Sequence, residues 1–392
     1  MAKAEEEIPQ TADELTAAWF TSTVGARLGG ATVTAVGDIT NIGEGIGFLG
    51  SLFRCPLTWD REVDGDGEPL PTSVIVKVPA PPGTNRASGE TIQAYEREVV
   101  AYRDLGDDMG LPMPRFYYGA FDPNPAGWLV PIFTFLFEKL PMAAVNWLLL
   151  RLIGLSGKVD RRYVLVMEDI ADARPPTQTE GGSLEDTEAA LDLLAGFHAH
   201  HWMRTDTVER SDIIWPIERT PKVWQCSFRR NRDEFAEQFS HIISSEQMAQ
   251  LDEIDERAND IVDQLGSAPW TLSHGDYRLD NILFRPDGSM VVLDYQGILK
   301  ARPGFDVAYF ITTALTGEHV AEEERLLRRY HDALVAAGVS DYPWEMLLSD
   351  AQATKELIAH RMVVTVDTLE TEVEGRDESF VETLVGRVMA WL

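Results

Sequence analysis

Behind Thr11-Ala-Asp-Glu14, which reads as a capping box, apolar residues from Leu15 to Leu28 recur at helical spacing and predict an opening helix. From Ala31 to Val78 the pattern changes to strands. Val33 to Asp38 is β-like, Gly43 to Gly50 is glycine-rich, and Ser51 to Trp59 alternates apolar with polar residues. Asp64-Gly-Asp-Gly67 reads as a hairpin tip and Thr72 to Val78 as the returning strand. Thr91 to Leu105 is predicted helical, with Ile92, Tyr95, Val99 and Tyr102 on one face, and Phe116–Phe121 and Tyr163–Glu168 are two more strands. Beyond Asp169 the periodicity is helical over Thr187–Trp202, Glu246–Leu265, Ala321–Ala337 and Ser349–Leu369. Two short strands interrupt it, Ile282–Phe284 and Met290–Asp294, joined by the turn Pro286-Asp-Gly288. The pattern predicts an α+β chain with two parts: a small β-rich lobe over 1–169 and a larger α-helical lobe over 170–392.

One stretch stands outside that scheme. Gly127 to Leu155 carries only Glu138, Lys139 and Arg151 as charges and lies between the last two strands of the small lobe. Pro131, Pro141 and those charges argue against a membrane-spanning helix. Two short apolar helices inserted between strands are expected, able to serve as a greasy entrance or as a peripheral contact with a membrane or another subunit.

Composition changes this picture in one respect. The 392 residues hold 34 Lys and Arg against 64 Asp and Glu, a formal net charge of −30. Such a surface repels nucleic acid, which is excluded as an expected partner, and it repels free nucleotides at long range. Any nucleotide site must therefore supply its own local compensation. Two cysteines without metal-ligand spacing and an acidic N-terminus lacking a secretory pattern point to the cytoplasm.

The densest chemistry is Ser273-His-Gly-Asp-Tyr-Arg-Leu-Asp-Asn281, followed by Val291-Val-Leu-Asp294. Phosphoryl transfer needs a carboxylate at the attacking hydroxyl and oxygen ligands for a magnesium ion on the nucleotide. Asp276 and Asn281 have the spacing D-x-x-x-x-N, and Asp294 closes a short strand just downstream. The competing reading is a polar turn with Asp276 and Asn281 as caps. His274-Gly275 in front and the apolar strand behind weigh against it.

This loop resembles that of the aminoglycoside phosphotransferase and choline kinase superfamily, relatives of the protein kinases. Gly43-Glu-Gly-Ile-Gly-Phe-Leu-Gly50, Ser73-Val-Ile-Val-Lys77 and Val164-Leu-Val-Met-Glu-Asp169 look closest to its ecdysteroid-kinase-like branch. The resemblance implies a protein-kinase-like bilobal fold, ATP and Mg2+ as cofactors, and a small-molecule alcohol as phosphate acceptor. It implies Asp276 as base, with His274 beside it among the catalytic residues, and Asn281 and Asp294 as metal ligands. Gly45, Gly47 and Gly50 would cover the phosphates, and Lys77 would pair with them. Glu98 flanks the apolar helix face and is the natural partner of Lys77, with Glu96 as substitute. Met167, Glu168 and Ile170 would border the adenine. Asp306 reads as a brace of the loop or as the N-cap of a helix starting at Val307, and both readings stay open. His198 and His201 share a helix face, but no neighbouring ligand completes a zinc site.

The acceptor is less legible. Trp215, Trp224 and Phe228 read either as a pocket wall or as core, and Glu370, Glu372, Glu374, Asp377 and Glu378 offer an acidic cluster for an aminoglycoside. An apolar, sterol-like alcohol is favoured because of the 127–155 insertion, with aminoglycosides and choline-like cations as competitors. A nucleotide-binding pseudokinase docking through that insertion is the alternative of a different class.

Overall fold

The computed structural model describes residues 8–42, 49–124, 127–156, 161–174, 178–209, 214–217, 221–365 and 378–392. Six strands, β1 (Val33–Val36), β2 (Thr40–Asn41), β3 (Gly50–Trp59), β4 (Ser73–Pro79), β5 (Phe116–Phe121) and β6 (Tyr163–Glu168), form one antiparallel sheet. Its order is β1-β3-β4-β6-β5, with β2 on β3. Alternation along β4 decides what each side meets. Val74, Val76 and Val78 pack with Leu15, Phe20 and Val24 of the opening segment. Ile75 lies on the other face, with Tyr95 and Val99. Lys77 shares that face with Ile75, so the strand period delivers a lysine to a helix.

The opening helix is α1 (Ala17–Phe20), continued by a wider turn over Thr21–Gly25. The expected capping box does not form: the Thr16 hydroxyl accepts from Trp19 N–H at 3.2 Å, while Glu14 accepts from Gln10 N–H at 2.7 Å. The helix expected from Thr91 is also two pieces, α2 (Thr84–Thr91) and α3 (Ala94–Val100), the latter extended by a turn to Leu105. Gln93, at φ +55°, breaks the path between them. The insertion forms α4 (Val130–Lys139) and α5 (Met142–Ser156), parted at Pro141.

The helical part begins with α6 (Leu184–His200), α7 (Thr205–Glu209) and α8 (Pro221–Gln238). The segment expected as one helix to Leu265 is α9 (Ser245–Glu256) and α10 (Ala258–Gly266), interrupted at Arg257. Next come α11 (Gly304–Ala314), α12 (Glu323–Ala336), α13 (Trp344–Val364) and α14 (Glu378–Met389). Short strands lie among them: β7 (Trp215–Pro216), β8 (Thr271–Ser273), β9 (Ile282–Phe284), β10 (Met290–Val292) and β11 (Leu299–Ala301). β9 and β10 pair as a hairpin, and β11 joins β7 to β8. Helix α8 was not expected, because it is apolar on two sides. Val223 and Cys226 face the insertion, while Phe228 and Phe235 enter the helical core.

The insertion buries Phe137, Val145 and Leu149 against Cys226. Lys222 donates to the carbonyls of Glu138 at 2.7 Å and Leu140 at 3.3 Å, closing the C-terminus of α4. Its outer side leaves Trp128, Ile132, Phe135, Trp147 and Leu150 exposed. Among the described residues, no helix is long and apolar enough to cross a membrane.

Candidate active site

Three backbone features build the catalytic loop. Gly275 has φ +83°, and a Cβ there would stand 2.0 Å from the Gly297 carbonyl oxygen, so only glycine lets the loop meet the segment after Asp294. Leu293 N–H donates to the Asn281 carbonyl at 2.8 Å, tying the end of the β10 segment to the end of the loop. Asp294 itself sits at φ +62°, a strained position for a residue with a side chain.

Asp306 holds the loop from behind. Its buried carboxylate accepts from His274 N–H at 2.6 Å and from Gly275 N–H at 2.9 Å. His198 Nε2 reaches the same carboxylate at 3.2 Å, and its Nδ1 lies 2.6 Å from the Tyr330 hydroxyl. Helix α11 starts at Gly304, so Asp306 lies inside its first turn and is a brace, not an N-cap. Among the described residues no cluster of His, Cys, Asp and Glu could hold a metal by itself. His198 belongs to the brace. His201 is buried and bonded to the Met109 carbonyl at 2.8 Å.

Asp276 is the partly open carboxylate of the loop. It accepts from the Tyr309 hydroxyl at 2.7 Å, from Asn281 Nδ2 at 2.9 Å and from Arg278 Nε at 3.2 Å. His274, expected among the catalytic residues, is turned into the loop. It is wholly buried, its Nε2 faces the Leu293 carbonyl at 3.0 Å, and its Nδ1 accepts from Asp276 N–H at 3.3 Å. It has no nitrogen left for a substrate.

Across the cleft, Lys77 Nζ donates to Glu98 Oε1 at 2.8 Å and to Asp294 Oδ1 at 3.4 Å. Burial pulls the ammonium down, but Asp294 and Glu98 outweigh it and hold Lys77 above its ordinary value. Asp294 is likewise pushed up by burial and held below the usual carboxylate range by Lys77, His274 and Arg278. Glu98 is fixed by two further donors, Tyr163 at 2.9 Å and Gln296 at 3.3 Å. Glu96 is not the substitute: it pairs with Arg161 instead.

The donor set fits a magnesium ion. Asn281 donates through Nδ2 to Asp276, which leaves its Oδ1 to coordinate, and Asp294 adds a hard carboxylate oxygen. Gly50 lies beside Lys77, where a Cβ would come 2.9 Å from the Val78 carbonyl oxygen. Gly45 and Gly47 lie outside the described residues, as do Glu370, Glu372, Glu374 and Asp377. At the junction of the two parts, Met167 is buried under Tyr102, whose hydroxyl lies 3.7 Å from its sulfur. Glu168 N–H is taken by the Arg115 carbonyl at 2.9 Å, and its side chain by Arg285 at 2.9 Å. The Ile170 carbonyl is engaged too, by Ala173 N–H at 3.3 Å.

Two residues escaped the sequence reading. Tyr309 follows Asp306 by one helical turn, so both face the loop, and that spacing was the available signal. Arg361 lies on α13 with its guanidinium carbon 5.6 Å from the Trp224 ring centroid and 5.4 Å from that of Phe305. Its only sequence signal is a lone charge in Leu357-Ile-Ala-His-Arg-Met-Val-Val364. Trp215 likewise stacks on Arg97, with 4.2 Å to the centroid, and Phe228 on His360 at 4.5 Å. Trp215 and Trp224 thus meet arginines of the protein itself, and Phe228 belongs to the helical core.

Residues 151–338, which include the whole catalytic loop, match the model of the ecdysteroid kinase-like family. No curated protein matches the chain in sequence. Among solved structures, a spectinomycin phosphotransferase in complex with ADP and spectinomycin is similar at 11% identity, covering 97% of this chain and 98% of its own, with a TM-score of 0.54. That likeness shows the kinase-like fold. A choline kinase from Streptococcus pneumoniae (13% identity, 94% of this chain and 95% of its own, TM-score 0.47) is also similar. So is a macrolide 2'-phosphotransferase from Brachybacterium faecium (12%, 94% and 97%, TM-score 0.46).

Proposed function

We propose that this chain, whose residues 151–338 match the ecdysteroid kinase-like family, moves the γ-phosphate of ATP to a hydroxyl of a small molecule. The observation that carries this reading is the convergence on one cleft of Asp276, Asn281, Asp294 and the Lys77–Glu98 pair. In it, Asp276 accepts the proton of the attacking hydroxyl, aimed by Tyr309, Asn281 and Arg278. Lys77, locked on Glu98, pairs with the nucleotide phosphates, and Asn281 and Asp294 hold Mg2+. The ion, when bound, neutralises charge on the transferring phosphate. Met167 lines the adenine pocket, with backbone contacts from Glu168 and Ile170, and Gly45, Gly47 and Gly50 cover the phosphates.

For the acceptor we favour an alcohol with an apolar, sterol-like body, since the half-buried Trp224 offers an apolar face and the apolar insertion packs on the same helix. Aminoglycosides and choline-like cations compete less well beside an arginine. The exposed stripe of the insertion supports a second reading, a nucleotide-binding module that docks through Trp128, Phe135 and Trp147. Release of ADP from ATP and Mg2+ against a panel of sterols, aminoglycosides and choline separates the two. ATP binding without transfer to any hydroxyl compound would hand the case to the module.

A further inference from the structure

Among the described residues, several buried or half-buried cations are answered from within. Arg161 meets Glu90 at 2.8 Å, Arg278 meets Asp280 at 2.6 Å, and Arg302 meets Asp350 at 3.1 Å. Arg361 differs. Its Nε is buried without a hydrogen-bond partner, and among the described residues no carboxylate pairs with it. It lies between Trp224 and Phe305, and burial drags its guanidinium down to about 10. An uncompensated charge in such a place costs stability unless a partner arrives.

Its location says where that partner comes from. The group acting on Arg361 against burial is the Tyr309 hydroxyl, and that hydroxyl touches Asp276 at 2.7 Å. Arg361 therefore stands one side chain behind the carboxylate at which an acceptor hydroxyl would sit. Tyr309 holds Asp276 Oδ1, whereas Asn281, the expected metal ligand, holds Oδ2.

We infer that Arg361 is the anion receptor of the acceptor pocket, and that the acceptor is a hydroxylated organic anion, with an apolar body against the half-buried Trp224 and a carboxylate or similar group on the guanidinium. This rests on the reading of Asp276 as the phosphoryl-transfer site and narrows its substrate class. Planar carboxylates suit a guanidinium, which offers two parallel N–H donors. Aminoglycosides and choline, being cations, are repelled at this end of the pocket.

The test uses the full chain, loaded with Mg2+ and a non-hydrolysable ATP analogue, and two matched pairs of probes: cholate with its methyl ester, and ricinoleate with its methyl ester. Calorimetric titration is expected to give at least one acid a Kd about thirtyfold below that of its ester, the scale of a desolvated charge pair. Arg361→Met is expected to erase that preference and Arg361→Lys to keep part of it, with thermal melts showing both variants folded. Equal affinity for acid and ester, no binding of either acid, or a preference that survives in Arg361→Met overturns the inference. The kinase reading fails separately. If an acid binds through Arg361 but labelled ATP never phosphorylates it, the anion site stands and the phosphotransferase does not. If esters are phosphorylated as well as acids, the reverse holds.

Discussion

Lys77 is a buried cation and Arg361 a half-buried one near the same catalytic carboxylate, and they are solved in opposite ways. Lys77 is closed by Glu98 at 2.8 Å and Asp294 at 3.4 Å, which hold its charge above the ordinary range. Arg361 has aromatic faces and no carboxylate, and it is held below its ordinary range. A pair completed inside the chain is preorganised machinery, ready before any ligand comes. A charge left open is a receptor whose counterpart must be brought in. Between them lies Asp276, with Asn281 on one side and Tyr309 on the other.

The largest effect expected is at that midpoint. Asp276→Asn keeps the shape of the loop but removes the proton acceptor, so turnover should fall by on the order of 10^3 to 10^4. Nucleotide affinity, read by titration, should hardly move. Turnover within about threefold of wild type would remove Asp276 from the chemistry and break the comparison at its centre.

Stability separates the two cations next. Lys77→Met leaves Glu98 buried without a cation, held only by Tyr163 and Gln296, and urea unfolding should show a loss of about 3 kcal/mol or more. Adding Glu98→Leu should recover much of it, because an apolar pair of similar volume replaces the ions. Arg361→Met should cost almost nothing or stabilise, since it removes a charge without a partner. If the Arg361 variant lost as much as the Lys77 variant, Arg361 would be structural.

What the sequence disclosed follows the same division. The elements of the finished machinery are local: His274 to Asn281 is contiguous, Lys77 closes an apolar strand, and Glu98 flanks the inward face of its helix. The strands Phe116–Phe121 and Tyr163–Glu168 were legible in full, because their apolar runs are short and bounded. The open side of the pocket was not. Arg361 acquires its meaning only from Trp224 and Phe305, brought to it by α8 and α11, and no local spacing encodes that meeting. Helix α8 was obscured because its apolar residues serve two partners, which blurs a single stripe. A motif places His274 in the loop without saying which way its ring turns.

A buried base can also stay neutral, and His201 is the third case. Burial lowers its pKa to about 4, below the usual value near 6.5. Its folded pKa is depressed, so the unfolded chain binds the proton more readily. The resulting stability is fully present above about pH 6.5 and is lost as pH falls toward about 4. Between pH 7 and pH 4.5 this group alone should account for about 2 kcal/mol of lost unfolding free energy. His201→Asn should flatten that part of the curve. An unchanged pH slope in the variant would show that the ring takes its proton while folded.

The smallest effect bears most directly on whether the two sides of Asp276 form one pocket. Tyr309→Phe removes a hydrogen bond to Asp276 Oδ1 while Asn281 and Arg278 keep theirs. Turnover should fall by about fivefold, near 1 kcal/mol, with the KM for ATP unchanged, because the loss is one of aim at the acceptor side. The same hydroxyl is the neighbour of Arg361. Combining Tyr309→Phe with Arg361→Met therefore makes a double-mutant cycle across the open half of the site. With an acidic acceptor the two losses should fall short of adding, since an anion no longer held by Arg361 no longer depends on how Tyr309 sets Asp276. Strict additivity would mean that the guanidinium and the catalytic carboxylate serve different ligands, and the contrast between a closed cation and an open one would then describe two sites instead of one.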